Sequence, residues 1–323
     1  MVRNIPLLAA IAFAAVSFAL PASANDSTAV LEAGGLRLVR DAPVKIAEES
    51  LFISANQIVV DYRFRAVGTV GTTTLVAFPL PEYDLAWNGD GLLGGPGDSV
   101  QERTGFRLWV NGVETRANLE LKAMRNGIDV SSVLTQANID LGSLDYHHIT
   151  SRLRTVSANV RQTLEQADVV RWLDPHTPEP LWTIKATYYW SQTFPPREDV
   201  LIRHSYQPVA GASFVSDPDL RDLNSAAFCM TASEKQGVRN RLAASANGAI
   251  LASHVRYILT TGANWHGPIG TFNLAIDKGA PTSMVSLCFD GLQKKTPTRF
   301  ETTIHDFVPQ RELDILFLKD PAD

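Results

Sequence analysis

QIVVDYRFRA, residues 57–66, repeats with a period of two. Ile58, Val60, Tyr62 and Phe64 share one side of an extended chain, and Val59, Asp61, Arg63 and Arg65 share the other, because successive side chains of a strand point to opposite faces. One face is built to be buried and the other to meet water, which is the signature of a half-buried strand in an antiparallel sheet.

The same period extends along the chain. TTTLVAFPLP (72–81) is β-rich and stops at Pro79 and Pro81. With Gly68 and Gly71 between them, these first two runs read as a hairpin. A second hairpin is predicted over FRLWVNGVETRANL (106–119), where Asn111-Gly112 supplies a turn with φ > 0. LWTIKATYYW (181–190) aligns Trp182, Ile184, Ala186, Tyr188 and Trp190, and DVLIRHSYQP (199–208) aligns Val200, Ile202, His204 and Tyr206, with TFPPRE turning the chain between them. HVRYILTT, IGTFNLAID, SMVSLCF, RFETTIHDF and ELDILFL continue the pattern to the C-terminus.

Helical spacing interrupts it twice. In TSRLRTVSANVRQTLEQADVV (150–170), Leu153, Val156, Val160, Leu164 and Ala167 recur in steps of three and four, predicting one amphipathic helix. Thr231-Ala232-Ser233-Glu234 is a capping box opening a second helix, which is expected to end near Asn247-Gly248. Strands and helices do not alternate as a parallel sheet requires. The expected fold is mainly β: two antiparallel β-sandwich-like lobes, residues 25–210 with a helical insertion over 129–172, and residues 211–323 with the capped helix.

MVRNIPLLAAIAFAAVSFALPASAND begins with Arg3, continues as an apolar run from Ile5 to Leu20, and closes on Ala22-Ser23-Ala24. That order is a secretory signal peptide over residues 1–24, with mature protein expected to start at Asn25. The run is shorter than the roughly 20 residues of a span, and no later stretch is apolar enough to cross a bilayer. In an oxidising compartment Cys229 and Cys288 are expected to form one disulfide. A net charge of -5 and dispersed basic residues argue against a nucleic-acid partner, and 45% hydrophobic residues are ample for a packed core.

Chemical motifs are sparse. GDGLLG (89–94) matches a dinucleotide fingerprint in letters, but Gly95-Pro96-Gly97 prevents the helix that must follow. Gly97-Asp98-Ser99-Val100 resembles an esterase nucleophile block without the strand before it. Asp84, Asn88, Asp90 and Asp98 lack the order of a calcium loop, and no histidine pair has a helical zinc spacing, so no metal or cofactor is expected. His204 reads as a core histidine. In TTGANWHGPIG (260–270), glycines and Pro268 force a loop, and Asn264, Trp265 and His266 are the candidate ligand-binding residues. The competing reading makes Trp265 a core plug.

Four blocks carry a family resemblance: NDSTAVLEAGGLRL, EESLFIS with VVDYRFRAVG and TTTLVAFPLP, YYWSQTFPPREDVLIRHSYQPVAG, and YILTTGANWHGPIGTFNLAIDKG with SMVSLCFDGL. Together they resemble the exported bacterial family catalogued as domain of unknown function 4424. The resemblance implies a periplasmic protein of Gram-negative bacteria and supplies no catalytic residues. The strand order around AFPLP and the later FPP segment is similar, more weakly, to vault and inter-alpha-trypsin-inhibitor type domains, from which the helical insertion departs. The expected function is a non-enzymatic binding or interaction module for a periplasmic protein or small ligand. The alternatives are an envelope hydrolase with a site assembled from distant strands, and a structural subunit of an envelope complex.

Overall fold

A computed structural model describes residues 26–32, 35–40, 43–85, 98–208, 210–215, 227–245 and 248–319. The signal peptide, the GDGLLG match and Asn247 lie outside them. The first half of the chain forms β1 (Ser27–Glu32), β2 (Gly35–Val39), β3 (Val44–Ser54), β4 (Ile58–Ala66), β5 (Thr72–Pro79), β6 (Tyr83–Asp84), α1 (Val100–Thr104), β7 (Arg107–Val110), β8 (Val113–Thr115), β9 (Asn118–Arg125), β10 (Ile128–Asp129), α2 (Ser131–Gln136), α3 (Tyr146–Arg154) and α4 (Ala158–Gln166). The second half adds β11 (Val170–Trp172), β12 (Pro178–Pro180), β13 (Thr183–Phe194), β14 (Asp199–Tyr206), β15 (Ala210–Val215), α5 (Ala232–Ala244), β16 (Ile250–Tyr257), β17 (Ile269–Asp277), β18 (Met284–Leu287), β19 (Gln293–Lys294), β20 (Arg299–Phe307) and β21 (Leu313–Lys319).

The fold is mainly β, as the alternation predicts. A seven-stranded sheet runs β10-β9-β13-β5-β1-β2, with β6 also on β13, and an eight-stranded sheet runs β19-β20-β17-β3-β4-β14-β7-β8. Their inner faces form one apolar core, to which β4 gives Ile58, Val60, Tyr62 and Phe64 and β13 gives Ile184, Ala186, Tyr188 and Trp190.

One sequence expectation changes here. The runs 57–66 and 72–81 are not a hairpin: β4 belongs to the eight-stranded sheet and β5 to the seven-stranded one. The TFPPRE turn between β13 and β14 makes the same crossing in reverse. The two crossings touch, since a Cβ on Gly71 would lie 2.9 Å from the Phe194 carbonyl oxygen and 3.0 Å from Pro196 Cδ. The two lobes divided near residue 210 share a sheet. β17, β19 and β20 complete the sheet of β3 and β4, with β17 parallel to β3.

The predicted helix over 150–170 is two helices. Ser157 takes extended backbone angles and its hydroxyl accepts from the Val160 amide, so a cap begins α4 inside the periodic stretch. The face still works in both halves, burying Leu153 and Leu164. The capping box of Thr231 and Glu234 opens α5, which ends at Ala244. The hairpin of β7 and β8 turns on Asn111 (φ 49°) and Gly112 (φ 80°) as expected.

A four-stranded sheet, β15-β16-β21-β18, buries both faces. Leu313, Ile315 and Phe317 join the sandwich core, while Leu316 and Leu318 pack with Val238 and Leu242 of α5. Cys229 and Cys288 are disulfide-bonded, tying the start of α5 to the end of β18. No helix among the described residues is long and apolar enough to cross a membrane.

The seam between β3 and β17 has a tight point. The register of β3 against β4 shifts between Ile46 and Glu48, a bulge that turns Glu49 inward and Glu48 outward. Opposite it, a Cβ on Gly270 would stand 2.7 Å from the Ala47 carbonyl oxygen. Gly270→Ala is therefore expected to cost about 1–3 kcal/mol in a denaturant titration. Gly211→Ala, where a Cβ meets nothing within 4 Å, should leave the midpoint nearly unchanged.

Candidate functional site

Strand register sets one row of side chains across the outer face of the eight-stranded sheet. Thr303 on β20 pairs with Asn273 on β17, Asn273 with Ser50 on β3, and Ser50 with Asp61 on β4. Asp61 then pairs with Arg203 on β14, and Arg203 with Trp109 on β7. Each is the outward residue of its strand, so the alternation that builds the core also builds this row.

The row is held by its own hydrogen bonds. Thr303 Oγ1 donates to Asn273 Oδ1 at 2.8 Å, and Asn273 Nδ2 donates to Ser50 Oγ at 3.1 Å. Arg203 Nη1 donates to both Asp61 oxygens at 3.0 Å. Two residues along β3 and β4, Arg63 pairs with Glu48 and stands near Asp199, which Arg65 grips at 2.6 and 2.8 Å. Those Arg65 bonds hold the Asp199 carboxyl below its ordinary range.

Above this row lies a groove of about 620 Å³ bordered by Glu48, Asp61, Arg63, Trp109, Leu201 and Arg203. Leu201 is 53% exposed and gives it an apolar border. A second groove of about 350 Å³ continues toward β20 and shares Ser50 and Asp61 with the first. Sequence reading placed Asp61 and Arg63 on the wet face of their strand and Trp109 in a hairpin. It missed their alignment, because register between distant strands is not written in any one of them.

Asn264 and Trp265, two of the three residues predicted to bind ligand, hold the amino end of the described chain. Thr260–Asn264 is a 3-10 turn that pins the amino end of the described chain. The Trp265 indole is 2% exposed, donates to the Asp26 carbonyl oxygen, and packs 4.7 Å from the Phe64 ring and 6.0 Å from that of Phe194. Asn264 donates to Ser27 Oγ at 3.0 Å and accepts from Arg40 at 3.2 Å. Only the His266 side chain faces solvent; its amide donates to the Val44 carbonyl. Trp265 is thus the core plug, because an indole with an internal acceptor gains more from burial than from exposure.

His204 is fully buried among the rings of Phe78, Phe106, Trp190 and Tyr62. Its nearest acidic oxygen is Asp26 Oδ1 at 3.6 Å, too far for a hydrogen bond. Burial lowers the His204 pKa to about 3, and burial together with Glu49 pushes the Asp26 carboxyl well above its ordinary range. His254 meets Asp314 at 3.0 Å on the surface, and Arg256 meets the same oxygen. Neither histidine borders the two grooves. Ser99 of the esterase-like block is the N-cap of α1 and bonds Glu102, so its hydroxyl is committed to that turn.

No curated protein matches the chain. Among solved structures, a Legionella pneumophila protein provisionally named for nutrient binding aligns with a TM-score of 0.46 and 15% identity, over 92% of this chain and 70% of its own. An M1 zinc metallopeptidase from Deinococcus radiodurans aligns with a TM-score of 0.27 and 9% identity, over 86% of this chain and 43% of its own. Neither likeness is close enough to bear on ligand or activity. The family described as Domain of unknown function (DUF4424) matches residues 24–316.

Two outcomes follow. Trp265→Ala should cost about 3–5 kcal/mol in a denaturant titration, while His266→Ala stays within about 0.5 kcal/mol. His204 titrates at about pH 3 when folded against 6.5 as its ordinary value, so its contribution to stability is complete above pH 6.5 and lost as pH falls from there toward 3. His204→Phe, which suits an aromatic surrounding of similar volume, should flatten the acid limb of a Tm-against-pH curve.

Proposed function

This chain belongs to the DUF4424 family, and we propose that it is an exported periplasmic binding module whose ligand lies in the groove on the outer face of the eight-stranded sheet. The observation that carries the reading is the combination of an apolar border, Trp109 and Leu201, with polar groups fixed by their neighbours across the strands. Binding sites combine apolar surface with a few preorganised polar groups, and residues on strands are placed more firmly than residues on loops. Export rests on the order of the first 24 residues: one cation, an apolar run, and a small-residue cleavage triplet.

Acid–base catalysis finds little support in the histidines. The His204 and Asp26 pair is sealed inside the core, and His254 with Asp314 stands outside the grooves. A structural subunit would call for a broad apolar patch. The most exposed apolar side chains, among them Leu31, Val70, Val113, Ile128 and Leu173, are spread over different elements.

Native mass spectrometry of the protein recovered from its own cell envelope tests the reading. The expected spectrum shows a chain beginning at Asn25 with a small-molecule adduct that Leu201→Arg, a substitution at an exposed position, removes. An adduct unaffected by Leu201→Arg rejects the groove, and a mass that still includes residues 1–24 rejects cleavage after Ala24.

A further inference from the structure

Resting on the groove reading, we infer that its ligand is a neutral, hydroxyl-rich oligosaccharide laid across the strands. The first argument is charge. Glu48, Asp61, Arg63 and Arg203 border the groove, and each cation meets an anion there, Arg203 with Asp61 and Arg63 with Glu48. Two charges of each sign leave no net field to draw in a phosphate, a polyanion or a basic peptide.

The second argument is hydrogen-bonding capacity left over. Arg203 uses only Nη1 on Asp61, so Nε and Nη2 remain as donors. Both Asp61 oxygens accept from that single nitrogen, which leaves lone pairs on the same carboxylate. Ser50 accepts from Asn273 and keeps its own proton to give. Donors and acceptors therefore sit side by side, and a sugar hydroxyl, which donates and accepts at once, satisfies such a surface where a purely anionic or purely apolar ligand does not.

The third argument is the platform. Arg107 lies 4.6 Å from the centre of the Trp109 ring and is itself gripped by Glu114 at 2.8 and 2.9 Å. Trp109 borders the groove and Arg107 does not, so the guanidinium braces the indole without lining the groove. Gly112 at the rim has no neighbour within 4 Å of where a Cβ would be, so no side chain crowds the rim at that point. An aromatic face next to fixed polar groups suits a pyranose ring, whose C–H surface and hydroxyl edge are presented together. From Trp109 to Thr303 the row takes five strand-to-strand steps, about 24 Å, so it matches a chain of sugars better than a single one.

Isothermal titration calorimetry on the full processed chain tests this with cellohexaose, chitohexaose and maltohexaose as neutral probes, hexagalacturonate as the acidic probe and hexalysine as the basic one. At least one neutral hexasaccharide is expected to bind, with little change in Kd when salt is raised to about 1 M, where charges are screened within about 3 Å. Trp109→Ala and Arg203→Met should each weaken it about tenfold or more, the loss of one central contact, with Tm unchanged. Binding of only hexagalacturonate or hexalysine, with steep salt dependence and loss in the same variants, overturns the ligand class and leaves the groove standing. If no probe binds, or if binding survives Trp109→Ala and Arg203→Met unchanged, the oligosaccharide proposal falls; survival in those variants removes the groove as well.

Discussion

The architecture depends on the parallel pairing of β3 with β17. Seven residue pairs, from Thr271 with Glu48 to Asp277 with Ser54, join the two ends of the chain into one sheet. β20 adds to β17, and the loop before β17 reaches back to Asp26 and Ser27. The pairing in turn depends on a missing side chain, because the bulge at Ala47 brings a backbone carbonyl where any residue but glycine at 270 would intrude.

Much of the fold is legible because a period of two is a local property. Ile58, Val60, Tyr62 and Phe64 announce their burial in their own sequence, and so does the turn at Asn111-Gly112. What cannot be read locally is which sheet a strand joins. The glycines between β4 and β5 permit a hairpin and a crossing equally well. The contact of Gly71 with Phe194 and Pro196, which accompanies the crossing, links positions more than a hundred residues apart. The break between α3 and α4 shows a different failure: one apolar face spans both, and a single serine cap outweighs it.

The loop around Trp265 and the row around Arg203 illustrate the same point for function. An unusual loop attracts attention in a sequence because glycine, proline and tryptophan are conspicuous together, yet Asn264 and Trp265 are consumed in holding the start of β1. The row from Thr303 to Trp109 is inconspicuous because each strand contributes one ordinary polar or aromatic residue. Its organisation comes from hydrogen-bond register, and it appears only when six strands lie side by side. His204 stands between the cases, since its place on an apolar face is readable but the aromatic enclosure that keeps it neutral is not.

The bond from the Trp265 indole to the carbonyl of Asp26 joins residues 239 positions apart. Contacts so distant in sequence form late, after the entropy of closing a long loop has been met. β1 pairs with β5 and β2, and Asn264 and Trp265 of this far loop close over its start. The contact that holds the amino end therefore cannot form until residue 265 has been made and its loop placed.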